Sequence, residues 1–124
     1  MTNLINQNLI SSLISDNDKV LDIGCSSGEL LYFLEKTKNI QGQGIEISHV
    51  GVKESVSKGL SVIQGDADED LINFPDSTFD IVILSDTLQA THKPKEVLEQ
   101  MLRIGKKCII CIPNFGYWKY RLQI

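Results

Sequence analysis

The sequence predicts an α/β fold in which a doubly wound parallel sheet of about five strands carries helices on both faces, and three observations predict it. The first is length: 124 residues fit one domain of ordinary size and leave no room for a second. The second is a series of short runs rich in Ile and Val, at 20–23, 45–47, 60–63, 79–84 and 108–112. Such runs suit strands buried on both faces. The third is that segments of helical period separate these runs, and strand–helix–strand alternation demands right-handed crossovers and parallel pairing.

Taken in order, Leu4, Ile5, Leu9, Ile10, Leu13 and Ile14 recur at helical spacing until Asp16-Asn17-Asp18 breaks the pattern. That is a leading helix within 1–16. The first strand, 20–23, runs into a glycine turn, and beyond Gly28 the residues Leu30, Leu31 and Leu34 share one helical face. A weaker helix at 50–56 separates the second and third strands. Pro94 stands at the first turn of another helix, whose inner face is Val97, Leu98, Met101 and Leu102. The domain plan is therefore a leading helix (1–16), a nucleotide-binding core (18–113) and an aromatic C-terminal segment (114–124). That last segment interleaves Phe115, Tyr117, Trp118, Tyr120, Leu122 and Ile124 with Lys119 and Arg121. It reads equally as cover for the fifth strand or as a docking surface with aromatic anchors. No internal repeat, low-complexity tract or linker is visible.

Composition excludes several classes. With 42% hydrophobic residues the chain can bury a core, which excludes disorder. Twelve basic residues against 16 acidic ones give a net charge of −4, opposite to the basic stripe of a phosphate-neutralising nucleic-acid binder. The longest apolar runs, 81–84 and 108–113, are far shorter than the roughly 20 residues that span a bilayer. The N-terminus lacks the basic start and small-residue cleavage site of a secretory signal. Three cysteines, an odd number, do not make a disulfide scaffold. The expected location is the cytoplasm, with no membrane partner.

The most informative stretch is Asp22-Ile23-Gly24-Cys25-Ser26-Ser27-Gly28, a strand end, a small-residue turn and a helix start. Turns of this kind bring backbone close to a ligand at the carboxyl end of the first strand, where open α/β sheets bind nucleotides. The order Asp-x-Gly-x-Ser-x-Gly is neither the G-x-G-x-x-G of dinucleotide sites nor a phosphate-binding P-loop. Glu46 follows 24 residues after Asp22, at the end of the second strand, where a carboxylate can accept both hydroxyls of a ribose diol. After the third strand, Asp66 stands where it could accept from an exocyclic adenine amine while a backbone amide meets the ring. Three strand ends would converge on one adenosine.

Other residues carry blander readings. Asp68, Glu69, Asp70 and Asp76 lack the order of a calcium loop and read as a solvated acidic loop, with no metal. Cys108 and Cys111 form C-x-x-C, but on a strand their side chains point to opposite faces, so they pack and do not form a redox pair. Cys25 precedes a helix start, where a thiolate would be stabilised; the plainer reading is a small residue that fits the turn. His49 and His92 read as surface or capping residues near helix starts.

At this point VLDIGCSSG, GIEIS, QGDAD and PDSTFDIVILSDTLQ resemble the successive motifs of class I S-adenosylmethionine-dependent methyltransferases, a Rossmann-like fold. GIEIS, VIQGDADEDL, FPDSTFDIVILSDTLQAT, PKEVLEQMLRIGKK and above all PNFGYWKYRLQ resemble the MetW family of methionine biosynthesis, from about residue 18 onward. The resemblance implies a cofactor, S-adenosylmethionine or S-adenosylhomocysteine. It places Asp22, Gly24, Cys25, Ser26 and Gly28 around the amino-acid end, Glu46 and Ile47 at the ribose, Asp66 and Ala67 at adenine, and Ser85 near the methyl group. Asp86, Thr87, Tyr117 and Trp118 would face substrate or partner. The implied role is accessory to homoserine O-acyltransferase; the alternative is a free-standing small-molecule methyltransferase. Family turns carry glycine where Ser26 stands, so a positive φ there would impose strain. Family members also continue further, so the sheet is expected to lack its last strands. The edge beyond the fifth strand must then be protected by the aromatic segment or by a second subunit, giving a homodimer.

Overall fold

Apolar runs and glycine turns order the chain as α1 (Leu4–Ser12), β1 (Lys19–Ile23), α2 (Glu29–Lys38), β2 (Gln41–Glu46), α3 (His49–Ser57), β3 (Val62–Gln64) and α4 (Ala67–Asp70). A 3₁₀ turn (Leu71–Asn73), β4 (Phe79–Leu84), α5 (Pro94–Ile104), β5 (Gly105–Ile112) and β6 (Tyr117–Leu122) follow. The computed structural model describes residues 4–84, 91–112 and 117–122. The strand order is β3-β2-β1-β4-β5-β6. The first five strands are parallel, as the alternation with helices requires. In this order β1 lies between β2 and β4, so the direction of winding reverses at its carboxyl end, where such sheets bind ligands.

The central strands β1 and β4 are largely apolar on both faces because each face meets helices. Val20 of β1 joins Ile10, Ile14, Leu31 and Leu34 on the side of α1 and α2. Its neighbours Leu21 and Ile23 point the other way, onto Val97, Met101 and Ile104 of α5. The same alternation continues in β4, with Ile81 and Ile83 on one side and Val82 and Leu84 on the other. A slip of one residue in register would exchange the two cores, so pairs such as Val20↔Gly42 and Val20↔Ile81 are strongly specified. In β5, Cys108 is buried on the α5 side and Ile109 on the α2 side. The Cys111 side chain lies outside those described.

Three departures from the sequence expectation have local causes. Strand β2 starts at Gln41, four residues before the apolar run, because its glycines sit beneath packed side chains. A Cβ on Gly44 would meet Cys25 Sγ at 2.7 Å and Leu31 Cδ1 at 3.0 Å. Between β3 and β4 the chain forms α4 and the 3₁₀ turn instead of a plain acidic loop. Finally, part of the aromatic segment forms β6, antiparallel to β5, with Ile112↔Tyr117 and Lys107↔Leu122 in register. Of the two covers expected for the fifth strand, the chain's own segment supplies the backbone partner. The β5 edge is therefore paired within the chain, and β6 becomes the outer strand on that side of the sheet.

The acidic residues of α4 join elements. Asp68 accepts from the backbone N–H groups of His92 (2.9 Å) and Lys93 (3.0 Å) at the start of α5, while Glu69 pairs with Lys93 Nζ at 2.9 Å. The N–H of His92, and after it that of Lys93, holds the Asp68 carboxyl below the usual aspartate range. A group whose folded value is depressed contributes stability above its unfolded value of about 4 and loses it as pH falls through the folded one. Asp68→Asn should therefore melt lower than the parent at pH 7, with the gap closing as acid protonates Asp68. Thermal melts between pH 7 and pH 2.5 check this, and a gap that does not change with pH would refute it.

Candidate functional site

Strand β1 ends under the glycine turn, and the turn is held from β2. The N–H of Gly24 donates to Ile45 O at 2.8 Å, and that of Gly28 to Cys25 O at 2.9 Å. Gly24, Ser26 and Gly28 all have positive φ, at 72°, 55° and 84°. Ser26 thus occupies the left-handed region, as expected from a serine in a glycine's place. Gly28, the residue before α2, has no freedom for a side chain: a Cβ there would meet Leu60 Cδ1 at 2.5 Å and Ser55 Oγ at 2.8 Å.

Glu46 clasps the turn from the end of β2. Its Oε1 accepts from Ser26 N and its Oε2 from Ser48 N, each at 2.8 Å. The residue is 8% exposed, and those two bonds fix the orientation of the carboxylate. A carboxylate offers roughly four acceptor sites, so two remain for a ligand diol. Helix α3 closes on the turn because Gly51 has no side chain; a Cβ there would stand 2.8 Å from Ser26 O. At the far end of α3, Lys58 Nζ donates to Ser27 O at 2.6 Å.

Beyond β3, Gly65 N donates to Glu46 O at 3.0 Å, tying the third strand end to the second. Asp66 caps α4 by accepting from Asp68 N at 2.9 Å, and its own N–H donates to Asp70 Oδ2 at 2.7 Å. One Asp66 oxygen is committed to this cap and the other takes no part in it.

These strand ends border an open cleft. Its walls are Ile23 and Gly24 from β1, Ile45, Glu46 and Ile47 from β2, Gly65, Asp66, Ala67 and Asp68 after β3, and Thr91. Among the described residues, three carboxylates and no basic side chain line it, which opposes a phosphate and suits an adenosyl group without one. Ile47, 65% exposed, offers a flat apolar surface to a base.

Of the residues singled out in the sequence, Gly24, Glu46, Ile47, Asp66 and Ala67 line this one cleft. Asp22, Cys25, Ser26 and Gly28 build the turn beside it, with Asp22 fully buried. Ser85, Asp86 and Thr87 lie outside the described residues, as do the side chains of Tyr117 and Trp118, whose backbone runs in β6. Sequence reasoning missed Asp68 and Thr91 as lining residues and Gly51 and Lys58 as supports. The Asp66-x-Asp68 spacing was a signal for the first; the others depend on where helices land. Among the described residues, no three His, Cys, Asp or Glu side chains stand together as a metal site.

The surroundings of Cys25 disfavour a thiolate. Its thiol is buried against Gly44, and burial first, then the neighbouring Asp22 and Glu46 charges, pushes its pKa up to about 12. The small residue that fits the turn is the reading the structure supports. Native protein at pH 8 should leave Cys25 unalkylated by iodoacetamide, whereas urea-unfolded protein should modify it. Peptide mass spectrometry distinguishes the two, and rapid native labelling at this residue would contradict its placement.

Comparison with known proteins agrees with this geometry. The profile of the family described as methionine biosynthesis protein MetW matches residues 5–124. A bifunctional methionine biosynthesis protein MetXA/MetW from Rhodopirellula baltica is 34% identical over 125 residues, covering 94% of this chain and 20% of that protein. The chain thus spans about a fifth of that curated relative. Among solved structures, a TehB-like S-adenosylmethionine-dependent methyltransferase from Corynebacterium glutamicum superposes with a TM-score of 0.74 at 20% identity, over 92% of this chain and 65% of that one. A methyltransferase dependent on the same cofactor from Aquifex aeolicus gives 0.70 at 22%, over 85% and 62%. At such identities the structures establish the class I methyltransferase fold, while the profile and the curated relative go further: the chain belongs to the MetW family of methionine biosynthesis proteins.

Proposed function

We propose that the cleft binds S-adenosylmethionine, or S-adenosylhomocysteine, and that the chain acts in the cytoplasm with homoserine O-acyltransferase as an accessory protein. The observation that carries the cofactor reading is Glu46, a buried carboxylate held by two backbone amides at the edge of a cleft lined, among the described residues, by no basic side chain. In this reading Glu46 receives the ribose diol, Ile47 lies against the base, and Asp66 with the Ala67 backbone meets its polar edge. Gly24 and the turn beside it lie at the amino-acid end. When bound, the cofactor supplies an activated methyl group; the residues described here bind and orient it.

The pairing with an acyltransferase is supported by the Rhodopirellula baltica polypeptide, whose name joins MetXA to MetW. Fusion keeps two parts at high effective concentration, which rewards parts that work together. If the cofactor alters the partner's acylation rate by changing the affinity between the proteins, the partner must change cofactor affinity by the same factor.

The test is homoserine acylation by the matching acyltransferase, with and without this protein, across a titration of S-adenosylmethionine. A rate that depends on this chain supports the accessory role. No dependence, together with no complex on co-purification, refutes it. The methyltransferase fold keeps one rival in play, a free-standing small-molecule methyltransferase. Methyl transfer to an acceptor in the absence of the acyltransferase, abolished by Glu46→Ala, would favour that rival.

A further inference from the structure

We infer that Ser55 of α3 is a positioning residue for the cofactor cleft: its hydroxyl clamps the carbonyl of Ser26 and so holds the strained glycine turn in its binding conformation. This rests on the reading of the cleft given above. Ser55 is 0% exposed although it belongs to a helix whose surroundings are largely solvated. Its Oγ stands 2.9 Å from Gly51 O, one helical turn back, and 3.1 Å from Ser26 O on the turn. One hydroxyl proton is shared between the two carbonyls, a three-centre bond of the kind found at helix ends.

The need for a clamp comes from Ser26 itself. A non-glycine residue at φ 55° is held against its own preference, which costs of the order of a factor of ten in population. Something must over-determine that backbone. Three groups do so from the two ends of one residue: Glu46 Oε1 takes the Ser26 N–H, while the Ser26 carbonyl accepts from Ser55 Oγ at 3.1 Å and, weakly, from Cys25 Sγ at 3.9 Å. Glu46 is also the proposed diol acceptor. Without the Ser55 hydroxyl the carbonyl keeps only the weak Cys25 thiol donor, so the Ser26–Ser27 peptide can rotate, φ of Ser26 relaxes, the Ser26–Glu46 bond weakens and the carboxylate that faces the ligand is disordered. Gly51 and Gly28, both too tightly packed to carry a side chain, keep α3 close enough for Ser55 to reach.

The experiment uses four full-length proteins: the parent, Ser55→Ala, Ser26→Gly and the double variant. Each is titrated with S-adenosylmethionine by calorimetry, and amide hydrogen exchange is followed by NMR without ligand. Ser55→Ala is expected to weaken binding about tenfold and to accelerate exchange of the Ser26 amide about tenfold relative to β4 amides. In the Ser26→Gly background, where the backbone needs no clamp, the same substitution should cost less than about twofold in affinity. Equal penalties in both backgrounds, or a Ser26 amide that exchanges no faster in Ser55→Ala, would overturn the inference. A uniform rise in exchange across the sheet would also overturn it, since that marks general loss of stability. If the parent binds no cofactor, the cofactor reading fails, and the exchange measurement alone still decides whether Ser55 holds the turn.

Discussion

Glu46→Gln should lower stability by about 2 to 4 kcal/mol and weaken S-adenosylmethionine binding by about 100-fold or more. The substitution keeps the shape and removes one acceptor oxygen. Glu46 meets the N–H groups of Ser26 and Ser48 through different oxygens, so the new amide must present a donor to one of them. A bond to a charged acceptor, worth about 1.5 to 3 kcal/mol, is lost, and leaving its donor unsatisfied beside an 8% exposed side chain adds to that cost. Ligand binding loses more, because a diol needs two acceptors and the side chain that supplied them is now misplaced. Urea unfolding and calorimetric titration read the two effects separately. Loss of stability with full affinity would mean that Glu46 only clasps the turn, and the ribose assignment would fall.

Gly28→Ala should cost about 2 to 5 kcal/mol, with Gly59→Ala costing only about 1 to 2 kcal/mol. The two glycines share φ +84°, so the left-handed backbone penalty is common to both. They differ in surroundings. A Cβ at Gly28 meets Leu60 Cδ1 at 2.5 Å and Ser55 Oγ at 2.8 Å, whereas one at Gly59 meets nothing within 4 Å. The difference between the two losses in urea unfolding isolates the packing of α3 and Leu60 against the turn. Similar losses would show that this packing yields easily and that backbone strain alone explains the glycine at position 28.

Those two predictions concern contacts of different legibility. The turn could be read from Asp22, Gly24, Ser26 and Gly28, since a small-residue run between an apolar strand and an apolar helix admits few conformations. Glu46 and Asp66 could be read because each directly follows an apolar run and so lies at a strand's end. Ser55 and Lys58 could not. They are ordinary helix residues whose importance arises only because α3 lies against the turn, 29 and 31 residues away along the chain.

The acidic segment makes the same point. Asp68, Glu69 and Asp70 look alike as a solvated run, yet one accepts from the start of α5, one pairs with Lys93, and one accepts from the Asp66 N–H. Strand β6 was hidden for a different reason. Its residues alternate large and charged side chains, which a surface segment also does, and only pairing with β5 distinguishes the two.

The sequence by itself determined the first five strands, that they run parallel, which carboxylates stand at their ends, and the family. Those properties follow from local apolar period and from chain connectivity, both of which are written in order along the chain. The tertiary structure alone decided the partners of each carboxylate, the left-handed backbone at Ser26 and its clamp, and the pairing of β6. These depend on distances of a few ångströms between segments far apart in sequence, where a hydrogen bond is made or lost within about half an ångström.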